Sequence, residues 1–211
     1  RRILEEQIAR AKGALVVGVE GASAVHETRK CLKRSRALLR LIRPGIGSST
    51  FRSLDNLFRS IANELSASRD AEILSETLAK LAPHATPEER LSIERFKAAV
   101  GQDRRPRKAA KSMATKRALG GLKAAAHAVS QIEIKGDGFV ALEKGLSAEM
   151  RKARQQFVRA YAGDNEEVFH DWRKAAQRHW RHMQLLIRGK PDEFEERIDG
   201  VRLIVDTVRS R

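Results

Sequence analysis

Histidine, arginine and lysine recur in one spaced pattern that suits anion binding. The pattern His-x-x-Arg-Lys-x-x-x-Arg begins at His26 and again at His170, 144 positions later. Residues three and four apart share one face of an α-helix, so each copy directs a histidine and several cations to one side. Two such faces could converge on one anion.

The similarity between the two halves extends beyond this pattern at the same offset and without gaps. A period this long exceeds the unit of a solenoid, so it predicts an internal duplication of a whole helical lobe. The matched pairs are Glu5/Glu149, Ala9/Ala153, Arg10/Arg154, His26/His170, Arg29/Arg173, Lys30/Lys174, Arg34/Arg178, Leu41/Leu185, Gly45/Gly189 and Asp55/Asp199.

The net charge of the chain indicates a polyanionic partner. Among 211 residues, 42 are Lys or Arg and 27 are Asp or Glu, which gives a formal charge of +15. Such a charge attracts nucleic acid, anionic membrane or polyphosphate over long distances. Cys31 is the single cysteine, so no intrachain disulfide can form; we expect a buried thiol and a reducing compartment.

No segment approaches the roughly 20 apolar residues that a membrane-spanning helix needs. We therefore expect a soluble protein without a membrane partner. The chain begins at Arg1 rather than methionine, which suggests that a leader or an upstream domain has been removed.

Helical periodicity covers nearly the whole chain, and Ala, Leu, Glu, Lys and Arg dominate it, so we predict an all-α protein. A charged, proline-containing connector at about 102–106 divides lobe 1, about 1–101, from lobe 2, about 107–211. Helices are predicted near 2–20, 23–43, 49–67, 69–82, 87–100, 107–131, from the Gly136–Gly138 turn to 162, at 166–188, and from Pro191 onward.

Three local signals place helix ends within this scheme. Thr86 followed by Pro87 and then Glu89 is a capping box, so a helix begins at Pro87. Asn165 is a helix cap before two glutamates. The segment 44–49, which contains Pro44, predicts the clearest loop of the chain.

The helix over 26–43 has a basic face and an apolar face on a helical wheel. The apolar face carries Cys31, Leu32, Leu38, Leu39 and Ile42, and the only acid in the segment is Glu27. We interpret the basic face as an anion site rather than a solvated surface, because it lacks helical counter-charges and recurs at 170–188. Its cations are Arg29, Lys30, Lys33, Arg34, Arg36, Arg40 and Arg43.

Metal binding is the weaker interpretation of the histidines. His179 and His182 stand three residues apart but lack an obvious third ligand. His26 and His170 instead lie near expected helix N-termini, where a phosphate is favoured. We predict neither a metal nor a cofactor.

Three segments resemble the CHAD family, the conserved histidine α-helical domain, and the resemblance spans essentially the whole chain. They are residues 25–38, the element Ser68-Arg69-Asp70 and, more loosely, residues 169–178. The resemblance implies one domain over 1–211, built of two pseudo-symmetric antiparallel helical bundles around a basic central cavity. It also implies non-catalytic binding of inorganic polyphosphate, a cytoplasmic location and association with polyphosphate granules.

The resemblance assigns phosphate contacts to residues of both copies. Gln177 and Trp180 depart from the family pattern, which implies a weaker second copy that Lys174 and Arg181 partly compensate. The helical wheel adds Lys30 and Arg40, the Ser-Arg-Asp element adds Arg69, and Arg10 with its counterpart Arg154 completes the set. The residues that the resemblance itself assigns, before these additions, are His26, Arg29, Lys33, Arg34, Arg36, His170, Arg173 and Arg178.

Two alternatives stay open at this point. A helical nucleic-acid-binding protein would have the same electrostatics, although aromatic residues are only 5% of the chain, which disfavours base stacking. The second alternative is an accessory domain of a polyphosphate or triphosphate phosphohydrolase. We predict no catalytic residue, because phosphoryl transfer requires metal-binding carboxylates and a positioned nucleophile that the sequence does not group together.

Overall fold

The structure is a computed structural model that describes residues 1–16, 22–66, 77–101, 104–136, 138–163, 165–187 and 197–204. Over these residues the regular structure is helical and no strand occurs, which confirms the all-α prediction. None of the described helices is long and apolar enough to cross a membrane. The pseudo-symmetry of two bundles and the central cavity stay predictions.

Seven α-helices have defined bounds, and their positions follow the predicted periodicity closely. Residues 77–81 and 197–204 are also helical, and a short 3₁₀ helix follows the first of these at Ala82–His84. The bounds are α1 Arg2–Val16, α2 Ala22–Ile46, α3 Ser48–Glu64, α4 Pro87–Gly101, α5 Arg104–Ser130, α6 Val140–Tyr161 and α7 Glu166–Leu186.

Both predicted helix caps are confirmed. The Glu89 backbone N–H donates to Thr86 Oγ1 at 3.3 Å, and the Thr86 N–H donates to Glu89 Oε2 at 2.8 Å, which is the reciprocal pairing of a capping box. The hydrogen bonds from Thr86 lower the pKa of the Glu89 carboxyl. The Asn165 side chain accepts hydrogen bonds from the first turn of α7.

The predicted loop at 44–49 is wrong, because α2 continues through Pro44 to Ile46 and α3 begins at Ser48. Proline lies in the last turn of α2, where it interrupts the helical hydrogen bonding at only one position. Gly47 alone breaks the helix, with a φ of +80°. Its N–H donates to the Arg43 carbonyl at 3.0 Å, so the chain turns within one residue.

The helix after the predicted connector begins earlier than predicted. Helix α4 ends at Gly101 and α5 begins at Arg104, three residues before the predicted start. Pro106 is then the third residue of α5, in the first turn, where backbone N–H groups have no partner within the helix. The turn at Gly136 and Gly138 is confirmed by their positive φ values of 91° and 54°.

Other predicted boundaries lie outside the described residues. They are the end of the first helix at 20, most of the helix at 69–82, the end of the α7 helix at 188 and the start of the last helix at Pro191.

The described chain packs as two compact units. The N-terminal unit comprises Arg2–Leu32 and Asn56–Ser130, and the C-terminal unit comprises Lys33–Asp55, Gln131–Arg211 and Arg1. The division passes through α2 and α3, so these packing units differ from the two lobes of the sequence repeat. The lobes at 1–101 and 107–211 stay a prediction.

In the N-terminal unit, α1 packs along α5. The buried side chains of α5 recur at helical spacing from Ala118 through Leu122 to Val129, which gives the helix a continuous apolar stripe. Further core residues of this unit are Leu4, Ile8, Val25, Leu32, Phe58, Ile61 and Leu65.

In the C-terminal unit, α6 packs along α7, and both lie beside the end of α2. The Lys135 N–H donates to the Gly45 carbonyl at 3.1 Å, which connects the irregular segment before α6 to α2. The core residues of this unit are Leu38, Leu39, Leu41, Ile42, Phe51, Leu54, Ile132, Leu146, Met183 and Leu186.

Gly145 lets α6 approach the backbone of α2 closely. A Cβ atom at this position would overlap the Leu41 backbone, so only a glycine permits this approach. The contact brings α6 directly against the end of α2 that carries the basic face.

We expect Gly145→Ala to destabilise the protein by about 1–3 kcal/mol, because the added methyl forces the two helices apart. The matched control is Gly120→Ala, where a Cβ would meet nothing within 4 Å; there, helix propensity favours a gain of about 0.5–1 kcal/mol. Urea unfolding followed by circular dichroism measures both. Equal stability changes in the two variants would contradict the close approach.

Candidate anion-binding site

Five arginines from the two copies of the basic helix come together in the C-terminal unit. The second half of α2 supplies three of them and α7 supplies two, and we call the group the arginine cluster. Its members are connected by shared carboxylates and by mutual electrostatic effects on pKa, which are described below. They are Arg34, Arg36, Arg40, Arg178 and Arg181.

Asp55 of α3 holds the α2 side of the arginine cluster. Arg36 donates to it through two nitrogens, Nε to Oδ1 at 2.8 Å and Nη2 to Oδ2 at 3.2 Å. Arg40 lies 3.9 Å from the same Oδ1. The Asp55 side chain is 7% exposed, so its pair with Arg36 is a largely desolvated, bidentate ion pair, which fixes the direction of Arg36.

Arg178 is paired more loosely on the α7 side. Its Nε lies 3.5 Å from Glu149 Oε2 and is buried without a hydrogen bond. Burial lowers the pKa of Arg178, the Glu149 carboxylate opposes this effect, and the neighbouring Arg40 cation lowers the pKa further. The guanidinium stays charged at neutral pH. A bound anion would therefore offset both the energetic cost of burying this charge and its repulsion by Arg40.

Arg34 and Arg181 have no carboxylate partner anywhere in the described ranges. Arg181 donates one hydrogen bond to the Gln177 carbonyl at 3.2 Å. Burial lowers the pKa of Arg181, and the charges of Arg34 and Arg178 lower it further. Two neighbouring guanidinium groups of this kind favour a bound anion, since Arg forks match carboxylate and phosphate oxygens.

His182 anchors α7 to α2 beneath the arginine cluster. It is fully buried, and its Nε2–H donates to the Ala37 carbonyl at 3.0 Å. Burial lowers the pKa of His182 to about 3; the hydrogen bond to Ala37 opposes this effect, whereas His179, Arg178 and Arg40 add to it. The ring is therefore neutral at physiological pH, which keeps one more positive charge out of a crowded region.

The predicted site residues of the first copy that precede Lys33 lie in the N-terminal unit. Arg10 pairs with Glu27 at 2.8 Å, and Lys30 lies 3.6 Å from the same carboxylate. Arg29 donates to the Ala62 carbonyl at 3.3 Å, and His26 is exposed. None of these contacts involves a member of the arginine cluster. Lys33, the first residue of α2 in the C-terminal unit, is exposed.

The start of the second copy is arranged differently. Arg173 donates to His170 Nδ1 at 3.0 Å, which places the proton of the neutral ring on Nε2. Lys174 pairs with Asp171 at 3.2 Å, as Lys30 pairs with the matching acid in the first copy. Arg154 lies on the exposed face of α6 and lines a separate apolar cavity.

Two further expectations concern residues beyond this cluster. Arg69, which the Ser-Arg-Asp element assigned to phosphate, lies outside the described residues. Among the residues that the structure describes, no group of three or more His, Cys, Asp or Glu is arranged to hold a metal ion. His179 and His182 are both buried enough for the pKa of each to be lowered.

Sequence reasoning missed the carboxylates that organise the cluster. The expected lack of counter-charges concerned partners within the same helix; carboxylates of other helices, Asp55 and Glu149, pair with Arg36, Arg40 and Arg178. Both acids belong to the ten matched pairs of the duplication, which is the signal that could have identified them. The helical wheel could not, because both partners come from other helices.

The fold and the arginine cluster together define an all-helical protein with a cationic site suited to a polyanion. Residues 2–208 match the CHAD domain, so the chain belongs to the CHAD family, whose known association is with polyphosphate. Neither the curated proteins nor the solved structures contain a match to the chain.

The buried His182 makes stability depend on pH. The unfolded ring titrates near 6.5, whereas the folded ring stays neutral to about pH 3, so the unfolded state binds more protons between these values. The contribution of His182 to the free energy of unfolding is therefore fully present above about pH 6.5 and decreases as the pH falls. We expect His182→Gln to reduce the loss between pH 7 and pH 5 by about 2 kcal/mol.

Urea unfolding at both pH values measures this difference. The pKa of His179 is lowered by burial and by Arg197, so some pH dependence of the same sign remains in the variant. The matched control is His127→Gln at an exposed position, which should behave as the unsubstituted protein. An undiminished pH dependence in His182→Gln would show that this ring does not cause it.

Asp55→Asn should cost about 1–3 kcal/mol of stability, because it leaves two half-buried arginines without their carboxylate. Glu64→Gln is the matched control: its partner Arg117 lies at 2.6 Å, but the two side chains are 57% and 34% exposed. An exposed pair of this kind contributes about 1 kcal/mol or less. Chemical denaturation compares the two, and an equal loss would argue against a buried, organising role for Asp55.

Proposed function

We propose that the protein binds inorganic polyphosphate, without catalysis, through the arginine cluster. The observation that carries the proposal is the pair Arg34 and Arg181, neighbouring guanidinium groups without a carboxylate partner in the described part of the chain. A linear polyphosphate presents one charge per unit and no bases, so a row of arginines can bind it by charge and hydrogen bonding alone. The family association and the charge of +15 support the same ligand.

The carboxylates of the cluster have a positioning role in this proposal. Asp55 orients Arg36 by a bidentate pair and lies 3.9 Å from Arg40, and Glu149 lies beside Arg178, so three of the five cations have a neighbouring carboxylate before a ligand arrives. Preorganised donors lose less freedom on binding than mobile surface lysines do. The five arginines exceed these two carboxylates by three charges, which leaves an excess for phosphate oxygens.

Nucleic acid is the alternative ligand that charge alone does not separate from polyphosphate. The same counterion release would drive its binding and make it fall with salt. The described contacts of the arginine cluster involve carboxylates, carbonyls and other cations rather than rings that could stack on bases, apart from Phe51 beneath Arg40. We therefore favour polyphosphate and extend the proposal to cytoplasmic polyphosphate granules as the place of binding.

The double variant Arg34→Gln/Arg181→Gln tests the site. We expect its affinity for long-chain polyphosphate at 0.15 M salt to fall about tenfold or more. The slope of log affinity against log salt should become shallower by about two, because two phosphate contacts are lost. Fluorescence anisotropy of labelled polyphosphate over a salt series measures both quantities.

The matched control is Arg95→Gln/Lys116→Gln, which removes the same charge from exposed positions outside the cluster. Equal losses in the two double variants would mean that net charge, not this site, determines binding. Displacement of polyphosphate by nucleic acid at equal charge concentration would favour the alternative ligand. Phosphate release with Mg²⁺ above the level of a His26→Ala/His170→Ala variant would contradict the non-catalytic assignment.

A further inference from the structure

A cavity of about 460 Å³ lies in the C-terminal unit, and its described lining contains no member of the arginine cluster. It is bounded by α6, by the start of α7 and by the helical residues 197–204. Its lining is mainly apolar, with Phe157, Tyr161 and Trp172 on one side and Leu203 and Ile204 on the other. Cavities of this size and character are typical of small-molecule sites.

The aromatic rings beside this cavity contact one another and are open to solvent. Tyr161 lies 4.6 Å from Phe157 and 5.5 Å from Trp172, measured between ring centroids, and Phe169 completes the group. Tilted and edge-to-face contacts of this kind are the favourable geometries for aromatic pairs. Tyr161 is nevertheless 57% exposed and Phe157 is 44% exposed. A chain with only seven Phe, two Trp and one Tyr thus places three rings, Phe157, Tyr161 and Trp172, along one cavity.

Arg154 supplies the charge of the cavity lining. It is exposed and makes no hydrogen bond or ion pair to any residue that the structure describes. Its counterpart in the repeat, Arg10, pairs with Glu27 at 2.8 Å, whereas the acid that matches Glu27, Asp171, pairs with Lys174 and not with Arg154. Arg154 is therefore available to an anion at the edge of an apolar cavity.

His179 adds no second positive charge to the lining. Burial lowers the pKa of its ring, and the charge of Arg197 lowers it further. Since the ordinary value is near 6.5, the ring is neutral at pH 7. The cavity therefore combines an apolar body with one cation among its described lining residues.

We propose that this cavity binds a small amphipathic carboxylate, with its alkyl or aryl body against the aromatic rings and its carboxylate on Arg154. The charge of +15 disfavours a second copy of the chain as the occupant, because the copies repel each other. Charge complementarity favours an anion over a neutral or cationic amphiphile, and the volume favours a small molecule over a protein helix.

Decanoate is the probe, compared with decanol and decyltrimethylammonium, which have the same alkyl chain. A Trp180→Phe background leaves Trp172 as the only tryptophan, so its fluorescence reports occupancy. We expect Arg154→Gln to weaken decanoate binding about twofold to fivefold and to leave decanol binding unchanged. Arg159→Gln is the matched control, since it removes an exposed charge from the same helix outside this lining.

Ala153→Phe should abolish binding of both decanoate and decanol, because Ala153 lines the cavity and the larger ring fills it. Leu203→Ser, at a 69% exposed lining position, should weaken both and tests the same point if the first variant folds poorly. Equal binding of decyltrimethylammonium and decanoate would overturn the proposal. So would equal effects of Arg154→Gln and Arg159→Gln, or a dimer in sedimentation that Leu203→Ser dissociates.

Discussion

The two-faced character of α2 is the constraint on which the rest of the molecule depends. Its apolar side, with Cys31, Leu39 and Ile42, is buried, while its other side carries seven arginines and lysines. Neighbouring helices must therefore approach closely on one side and leave the arginines at the margin. In the C-terminal unit, α6 does so at Gly145 and α7 does so through the hydrogen bond from His182.

This arrangement creates an electrostatic cost that the fold offsets only in part. Burial and mutual repulsion lower the pKa of both Arg178 and Arg181, which means that the charged cluster is less stable than separate arginines in water. Asp55 and Glu149 offset some of that cost. The remainder is relieved by whatever anion binds, so the free energy of ligand binding and the partial destabilisation of the unliganded cluster have one physical origin.

Local features of the fold could be predicted because their causes are local. The capping box at Thr86 and the helix cap at Asn165 depend on residues within one turn, and the apolar face of α2 depends on helical periodicity alone. The ion pair between Arg36 and Asp55 spans 19 positions, and nothing in the periodicity of α3 tells which residue faces α2. The loop expected at Pro44 was wrong because proline interrupts hydrogen bonding without always ending a helix.

The duplication likewise predicts matched residues better than matched contacts. At the offset of 144, Trp180 and Gln184 stand where Arg36 and Arg40 stand, and Asp199 stands where Asp55 stands. Trp180 and Gln184 carry no charge and cannot form ion pairs like those of Arg36 and Arg40 with Asp55. The second copy therefore cannot form a second cluster of the same kind. It contributes Arg178 and Arg181 to the first one instead. Two copies of one sequence pattern therefore yield one asymmetric arginine cluster among the described residues of the C-terminal unit.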